Sequence, residues 1–337
     1  ETNAFTTKDK TVVHPSVVRD HFVRCSELLG AATFNSSFPE KPLEKEKKVV
    51  CEEIDMYLDA PEERIFDEFQ EMFYASHPLG NNILGSKETV TGFNSDNISE
   101  FVHQRYFSNE IVLVVVAPIK AEKVIRVCQK HIDGLDIKSG TVQRRKPEAS
   151  PIFDVVKHNG FSQAHVLIGS EAYPLDHENR PALMLLANIL GGPGLNSILN
   201  LKLREKHAYT YGVDCSLQSL TDSGFLTIYY GTDQRNLNRS RKAVLRELES
   251  IRKHLIKPNL LKKYKTQFRG QLIMAEESNS SLMFVIGRSL LDLGYVDSLQ
   301  EVLNKIDSIT SEQLQEVAND VLAPSKLSYL TYLPKQV

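Results

Sequence analysis

Two pairs of side chains stand out for what they could do chemically. Glu46 and Glu53 lie seven residues apart in the charged stretch Lys41–Tyr57. Seven residues is close to two turns of a helix, so a helix there puts both carboxylates on one face. Such a pair can serve a metal or a proton transfer, and a solvated charged face produces the same spacing. Glu44 and Glu52 fall elsewhere on the cylinder. Arg204 and Tyr211 are also seven apart, in Leu203-Arg204-Glu205-Lys206-His207-Ala208-Tyr209-Thr210-Tyr211. By spacing alone they read equally as a surface arginine and a core tyrosine.

Other candidates carry less. None of the ten histidines forms H-x-x-E-H or H-E-x-x-H. His14 and His21 are seven apart, but Val12, Val13 and Pro15 favour strand or loop there, which leaves them as surface histidines. Gly191-Gly192-Pro193-Gly194 lacks the lysine and serine of a phosphate loop and reads as a helix-ending turn. The four cysteines (Cys25, Cys51, Cys128, Cys215) form no CxxC, so reduced, buried thiols are expected rather than a disulfide framework or thiolate zinc site.

The elements that must position these groups occur twice. Ile309–Leu314 introduces a helical pattern and then the strand Leu327–Leu333; Phe93–Ile98 introduces another and then the strand Ile111–Ala117. The offset is 216 residues without a gap: Ile98 falls on Leu314, Phe101 on Val317, Ile111 on Leu327. Thr310 and Gln313 have capping-box spacing. Lys41-Pro42 and Lys257-Pro258 open long helices at the same offset, with proline in the first turn. The polar, basic stretch 138–150 reads as the linker.

These repeats predict an α+β protein of two similar domains, each a mainly antiparallel sheet covered by helices. The first spans 1–140 and the second 151–337. In the second copy, a strand at Phe161–Ile168 and a helix at Pro181–Leu190 are expected. Subtracting 216 places their first-copy equivalents at −55 to −48 and −35 to −26. The first copy is therefore expected to be incomplete, and with residue 1 a glutamate, a segment ahead of it is expected.

The formal net charge of −3 offers no clustered cation for nucleic acid or an anionic membrane. The longest apolar run, Ile111–Ala117, falls far short of the roughly 20 residues that span a bilayer. A cytoplasmic location is the expectation, with a signal or transit peptide left open by the absent N-terminus.

Leu43–Ile54 resembles the glutamate segment of the pitrilysin/insulinase family of zinc metallopeptidases. Asn3–Thr6 before it, and His77–Gly80 and Ile83–Gly85 after it, strengthen the likeness. In that family an inverted H-x-x-E-H motif supplies two zinc-binding histidines and the general base. A glutamate some 77 residues beyond the second histidine is the third ligand. The resemblance implies that Glu53 is that metal ligand and that Glu46 supports the site without ligating. It places the absent histidine near −24, beside the helix that the repeat puts at −35 to −26.

The Leu203–Tyr211 segment resembles the family's arginine–tyrosine motif, which implies that Arg204 binds a substrate carbonyl or terminus. Tyr211, rather than the adjacent Tyr209, would donate to the tetrahedral oxyanion. Asn3, Ala4 and Phe5 resemble the family's substrate-docking edge strand. The family also implies a clamshell arrangement around short or unfolded peptides, zinc in the complete protein but not in this chain alone, and a homodimer or a heterodimer with a family member. The expected function is a zinc-dependent endopeptidase or oligopeptidase, inactive as this chain. The alternative is a non-catalytic partner subunit or a scaffold of the same fold.

Overall fold

The computed structural model describes residues 1–132, 137–148 and 151–334. Strands β1 (Thr2–Thr6) and β2 (Thr11–Pro15) lead into α1 (Phe22–Phe34), α2 (Glu40–Asp59), α3 (Pro61–Phe73), α4 (Lys87–Gly92), α5 (Ser95–Arg105) and α6 (Ala121–Ile132). Next come β3 (Asp154–Asn159), β4 (Ala164–Glu171), α7 (Arg180–Gly191), a π-helix (Asn200–Lys206), β5 (Val213–Ser219) and β6 (Gly224–Thr232). Helices α8 (Leu237–Lys253), α9 (Pro258–Glu276), α10 (Asn279–Leu293), α11 (Leu299–Ser308) and α12 (Ser311–Val321) precede β7 (Ser328–Pro334).

The repeat is visible element by element. Helices α5 and α12 begin at 95 and 311 and end at 105 and 321, both at the offset of 216. Asn94 caps the first by accepting from Asn97 N–H at 2.9 Å, in a complete capping box. Thr310 caps the second by accepting from Gln313 N–H at 3.1 Å. There the side chain of Gln313 donates instead to Asn179 Oδ1 at 2.9 Å. Helix α2 matches α9, and α3 matches α10.

The chain forms two compact units that do not follow the 1–140 and 151–337 division throughout. One unit holds residues 1–58, 81–145 and 279–291; the other holds 59–80, 146–278 and 292–337. The exchanged segments contain α10 and α3, which are equivalents of one another. The polar stretch 138–150 contains the change of unit after Arg145; residues 149–150 lie outside the described residues.

The second unit contains a five-stranded sheet in the order β3-β7-β4-β6-β5, antiparallel except for the β3–β7 pair. Strand β4 is buried from Ala164 to Ser170 because the sheet is covered on both faces. Val166 and Ile168 join the main core with α7, α8 and α12. Leu167 points the other way, to Ile65 and Phe69 of α3, as the period of two requires. At Gly169 a Cβ would stand 2.4 Å from the Phe69 ring, so only glycine leaves room for it. The expected strand at Phe161–Ile168 begins three residues later; Phe161 instead sets its ring against His165 and Tyr332.

The first unit has a two-stranded antiparallel sheet, with Ala4 opposite Val13 and Phe5 opposite Val12. Of its apolar side chains, Phe22, Ile54, Val90 and Cys128 are among the few buried. The expected strand Ile111–Ala117 is not formed. Its equivalent, β7, is stabilised by ladders to β3 and β4 on its two sides. Among the described residues no strand lies beside Ile111–Ala117, and a strand without a neighbour gains no ladder. The four cysteines are free thiols, with Cys128 and Cys215 buried and Cys25 and Cys51 half-buried.

Candidate active site

In the first unit, α2 runs unbroken through Glu46 and Glu53 and so places them on one face, about 10 Å apart along the axis. Glu46 is exposed and Glu53 half-buried. Short α4 braces the helix: Lys47 donates to the Thr91 carbonyl at 3.2 Å, and Lys87 pairs with Asp55 at 2.6 Å. The Ser86–Thr89 capping box fixes the start of α4.

Strand β1, exposed along its whole length, carries Asn3, Ala4 and Phe5 in the same unit. Asn3 Oδ1 accepts from Ala4 N–H at 2.9 Å, which partly occupies that strand's own main chain. Phe5 packs edge-on against Phe284 of α10 at 5.5 Å, and Phe284 against His14 of β2 at 5.0 Å. A strand so exposed can take an added strand through its main chain.

In the second unit, Arg204 sits in the π-helix, a conformation that is rare and concentrated at functional sites. Its Nε lies 3.4 Å from Glu205 Oε1, and the guanidinium stays partly exposed. The chain then reverses sharply at Ala208, which has φ +50°, in the left-handed region. The loop is pinned by Tyr209 N–H donating to the Leu203 carbonyl at 2.8 Å. Thr232 Oγ1 donates to the Tyr209 carbonyl at 2.6 Å, and Thr210 Oγ1 to the Gly212 carbonyl at 2.8 Å. These bonds leave Tyr211 projecting, 88% exposed, while Tyr209 stacks on His207 at 5.0 Å.

The sequence motifs thus resolve into two groups. Glu46, Glu53, Asn3, Ala4 and Phe5 belong to one unit; Arg204 and Tyr211 belong to the other. Among the described residues no group of three His, Cys, Asp or Glu is arranged to hold a metal ion. Among the described residues Glu53 has no such companions, so those residues present one candidate zinc donor and not the three of a catalytic site. No described helix is long and apolar enough to cross a membrane. The π-helix and its buried first residue, Asn200, carry no motif in the sequence; an asparagine between two leucines is the signal for them.

Comparison with known proteins decides the family. The description "Insulinase (Peptidase family M16)" matches residues 1–87, and "Peptidase M16 inactive domain" matches residues 92–268.

The chain belongs to peptidase family M16.

A protein of Bacillus subtilis (strain 168) named as an uncharacterized zinc protease is 31% identical over 95% of this chain and 78% of its own length. One from Mycobacterium leprae (strain TN), also named as an uncharacterized zinc protease, is 28% identical over 96% of this chain and 73% of its own length. Among solved structures, a protease from Helicobacter pylori has a TM-score of 0.90 at 21% identity, covering 99% of this chain and 82% of that one. A peptidase M16 inactive domain from Pseudomonas fluorescens has a TM-score of 0.92 at 17% identity, covering 100% of this chain and 81% of that one. A chain of Complex III2 from Candida albicans has a TM-score of 0.87 at 15% identity, covering 98% of this chain and 81% of that one. The M16 fold is thus found both in peptidases and in a subunit of a large complex.

Proposed function

We propose that these residues are part of a zinc-dependent peptidase acting on extended peptides, active only when the H-x-x-E-H donors are joined to them. The observation that carries this reading is retention of both groups in one chain: Glu46 and Glu53 on one helical face, and Arg204 and Tyr211 on an ordered turn. In this reading β1 aligns the peptide main chain along its exposed edge. Arg204 donates to a substrate carbonyl before and during reaction. Tyr211 donates to the oxygen that gains charge in the tetrahedral species. Glu53 is one metal donor, and Glu46, two turns away on the same helical face, supports the site without ligating. Zinc supplies Lewis acidity toward the scissile carbonyl when bound.

The test is zinc content beside steady-state cleavage of an extended fluorogenic peptide by the complete protein. Tyr211→Phe is expected to retain zinc and lose on the order of 10²–10³ in kcat. Arg204→Ala is expected to raise KM as well, because its contact precedes the transition state. Wild-type turnover in both variants would remove the second unit from catalysis.

The likeness to a Complex III2 chain and the "inactive domain" description favour a second reading, a non-catalytic partner subunit or scaffold. A complete protein that binds no zinc and cleaves no peptide selects it.

A further inference from the structure

Asn200 is a buried amide that the proposed chemistry does not use. It opens the π-helix and is 6% exposed. Its Oδ1 accepts from Val213 N–H at 3.1 Å, and its Nδ2 donates to the Val213 carbonyl at 3.0 Å and to Ser197 Oγ at 2.9 Å. Strand β5, which starts at Val213, is an edge of the sheet and pairs with β6 on one side only. The carboxamide of Asn200 therefore stands where the peptide group of a neighbouring strand would stand. An apolar residue could fill the same space but would leave both main-chain groups of Val213 unpaired.

The location of this pairing matters more than the pairing itself. Arg204 lies four residues beyond Asn200, close to one turn in a helix bonded i to i+5. Tyr211 lies two residues before Val213. One side chain thus ties the element that carries the arginine to the strand end that carries the tyrosine. The intervening loop contains the left-handed Ala208, so it has its own reason to relax if the tie is cut.

We propose that Asn200 is a positioning residue for the substrate-binding arginine and tyrosine, setting the π-helix against the start of β5 so that both side chains meet one peptide. The inference rests on the peptidase reading. It makes Asn200 act through Tyr211 and Arg204 rather than on substrate.

The experiment uses the complete protein and an extended fluorogenic peptide. It compares Asn200→Ala and Asn200→Asp, each alone and combined with Tyr211→Phe. Asn200→Ala is expected to keep its zinc and lose on the order of 10²-fold in kcat, the scale of a misplacement near 1 Å. Asn200→Asp keeps an acceptor for Val213 N–H and recovers part of that loss. In the Tyr211→Phe background, Asn200→Ala should cost clearly less in kcat than it does alone, because one of the two groups it positions is already gone, while its effect on KM through Arg204 persists. Amide exchange at Val213 should rise while that of β4 does not. If Asn200→Ala fails to fold, the Asn200→Asp pair of variants decides by the same non-additivity. Wild-type kcat in the Asn200 variants, or losses that simply multiply with Tyr211→Phe, would reduce Asn200 to packing and overturn the proposal. A wild-type protein that cleaves no peptide overturns the peptidase reading, and this inference with it.

Discussion

Helices α3 and α10 are the same element of the repeat, 216 residues apart, yet they have opposite fates. Helix α3 buries Ile65 and Phe69 completely, in the unit that holds the five-stranded sheet. In α10 no residue is buried, and Val285, the equivalent of Phe69, is 50% exposed in the unit that holds two strands. Neither helix belongs to the unit that holds most of its own half. Burial of the helix therefore follows the sheet it is offered, and not the helix's own apolar content. Helices α2 and α9 teach the complementary lesson about chemistry. The positions of Glu46 and Glu53 are taken in α9 by Lys262 and Arg269, and Arg269 pairs with Asp307. Carboxylates can serve a cation where ammonium and guanidinium groups cannot, so at these two positions only the first half offers donors that a metal could use.

That asymmetry can be broken directly. In the complete protein, Glu53→Gln should lower zinc occupancy and peptide turnover by at least about 10²-fold, since even outer groups of a metal site contribute 10–100-fold. The equivalent change, Arg269→Gln, removes only an exposed ion pair and should leave zinc and kcat within twofold of wild type. Equal effects at the two positions would mean that the halves share the site.

The packing contrast gives the next largest effect. Phe69→Ala should cost about 3–5 kcal/mol in urea unfolding, because it empties a closed space against Gly169, Phe153 and Phe73. Val285→Ala at the equivalent place should stay within about 0.5 kcal/mol. Similar losses from the two would show that α10 is as well buried as α3.

Much of this was legible in the sequence because it is local. The caps at Asn94 and Thr310, the prolines that open α2-like helices, and the apolar run of β7 all announce themselves within a few residues. The offset of 216 then carries the repeat, although the hairpins β1–β2 and β5–β6 match at 213, so the copies differ by a short insertion before the later helices. What was not legible depends on partners far away in sequence. Ile111–Ala117 has every mark of a strand and lacks only neighbours. The exchange of α3 and α10 leaves no trace in their own patterns. The π-helix is joined to β5 by the Asn200–Val213 pairing, which spans thirteen residues of sequence. Of the candidate site, Glu53, Arg204 and Tyr211 are singled out by the resemblance to the family's motifs and not by spacing, whereas the groups that hold the Tyr211 turn in place emerge only in three dimensions.

The smallest effect probes the surface under α3 itself. His165 is 8% exposed on β4, and burial holds its pKa below the ordinary histidine value, while Glu62 of α3 acts in the opposite sense. Its Nδ1 lies 2.8 Å from Tyr229 Oη, and burial pushes that phenol up to about 12, so Tyr229 keeps its proton and donates it. The imidazole nitrogen facing it must then be unprotonated. A histidine depressed in the folded state binds its proton more readily in the unfolded chain. The unfolded state therefore holds more protons between the folded pKa and about 6.5, and stability falls as pH falls through that window. The slope cannot exceed about 1.4 kcal/mol per pH unit for one proton. Glu68, held below the usual carboxylate range by Lys157 and Arg64 despite its burial, adds a loss of the same sign, but only below about pH 4.5. Urea unfolding measured from pH 7.5 to 5 stays above the Glu68 window, and comparison with His165→Gln reads the histidine's share. His165→Gln should remove the slope in that range while lowering stability at pH 7.5. A slope that survives His165→Gln would place the titrating group elsewhere and leave the interface under α3 insensitive to acid.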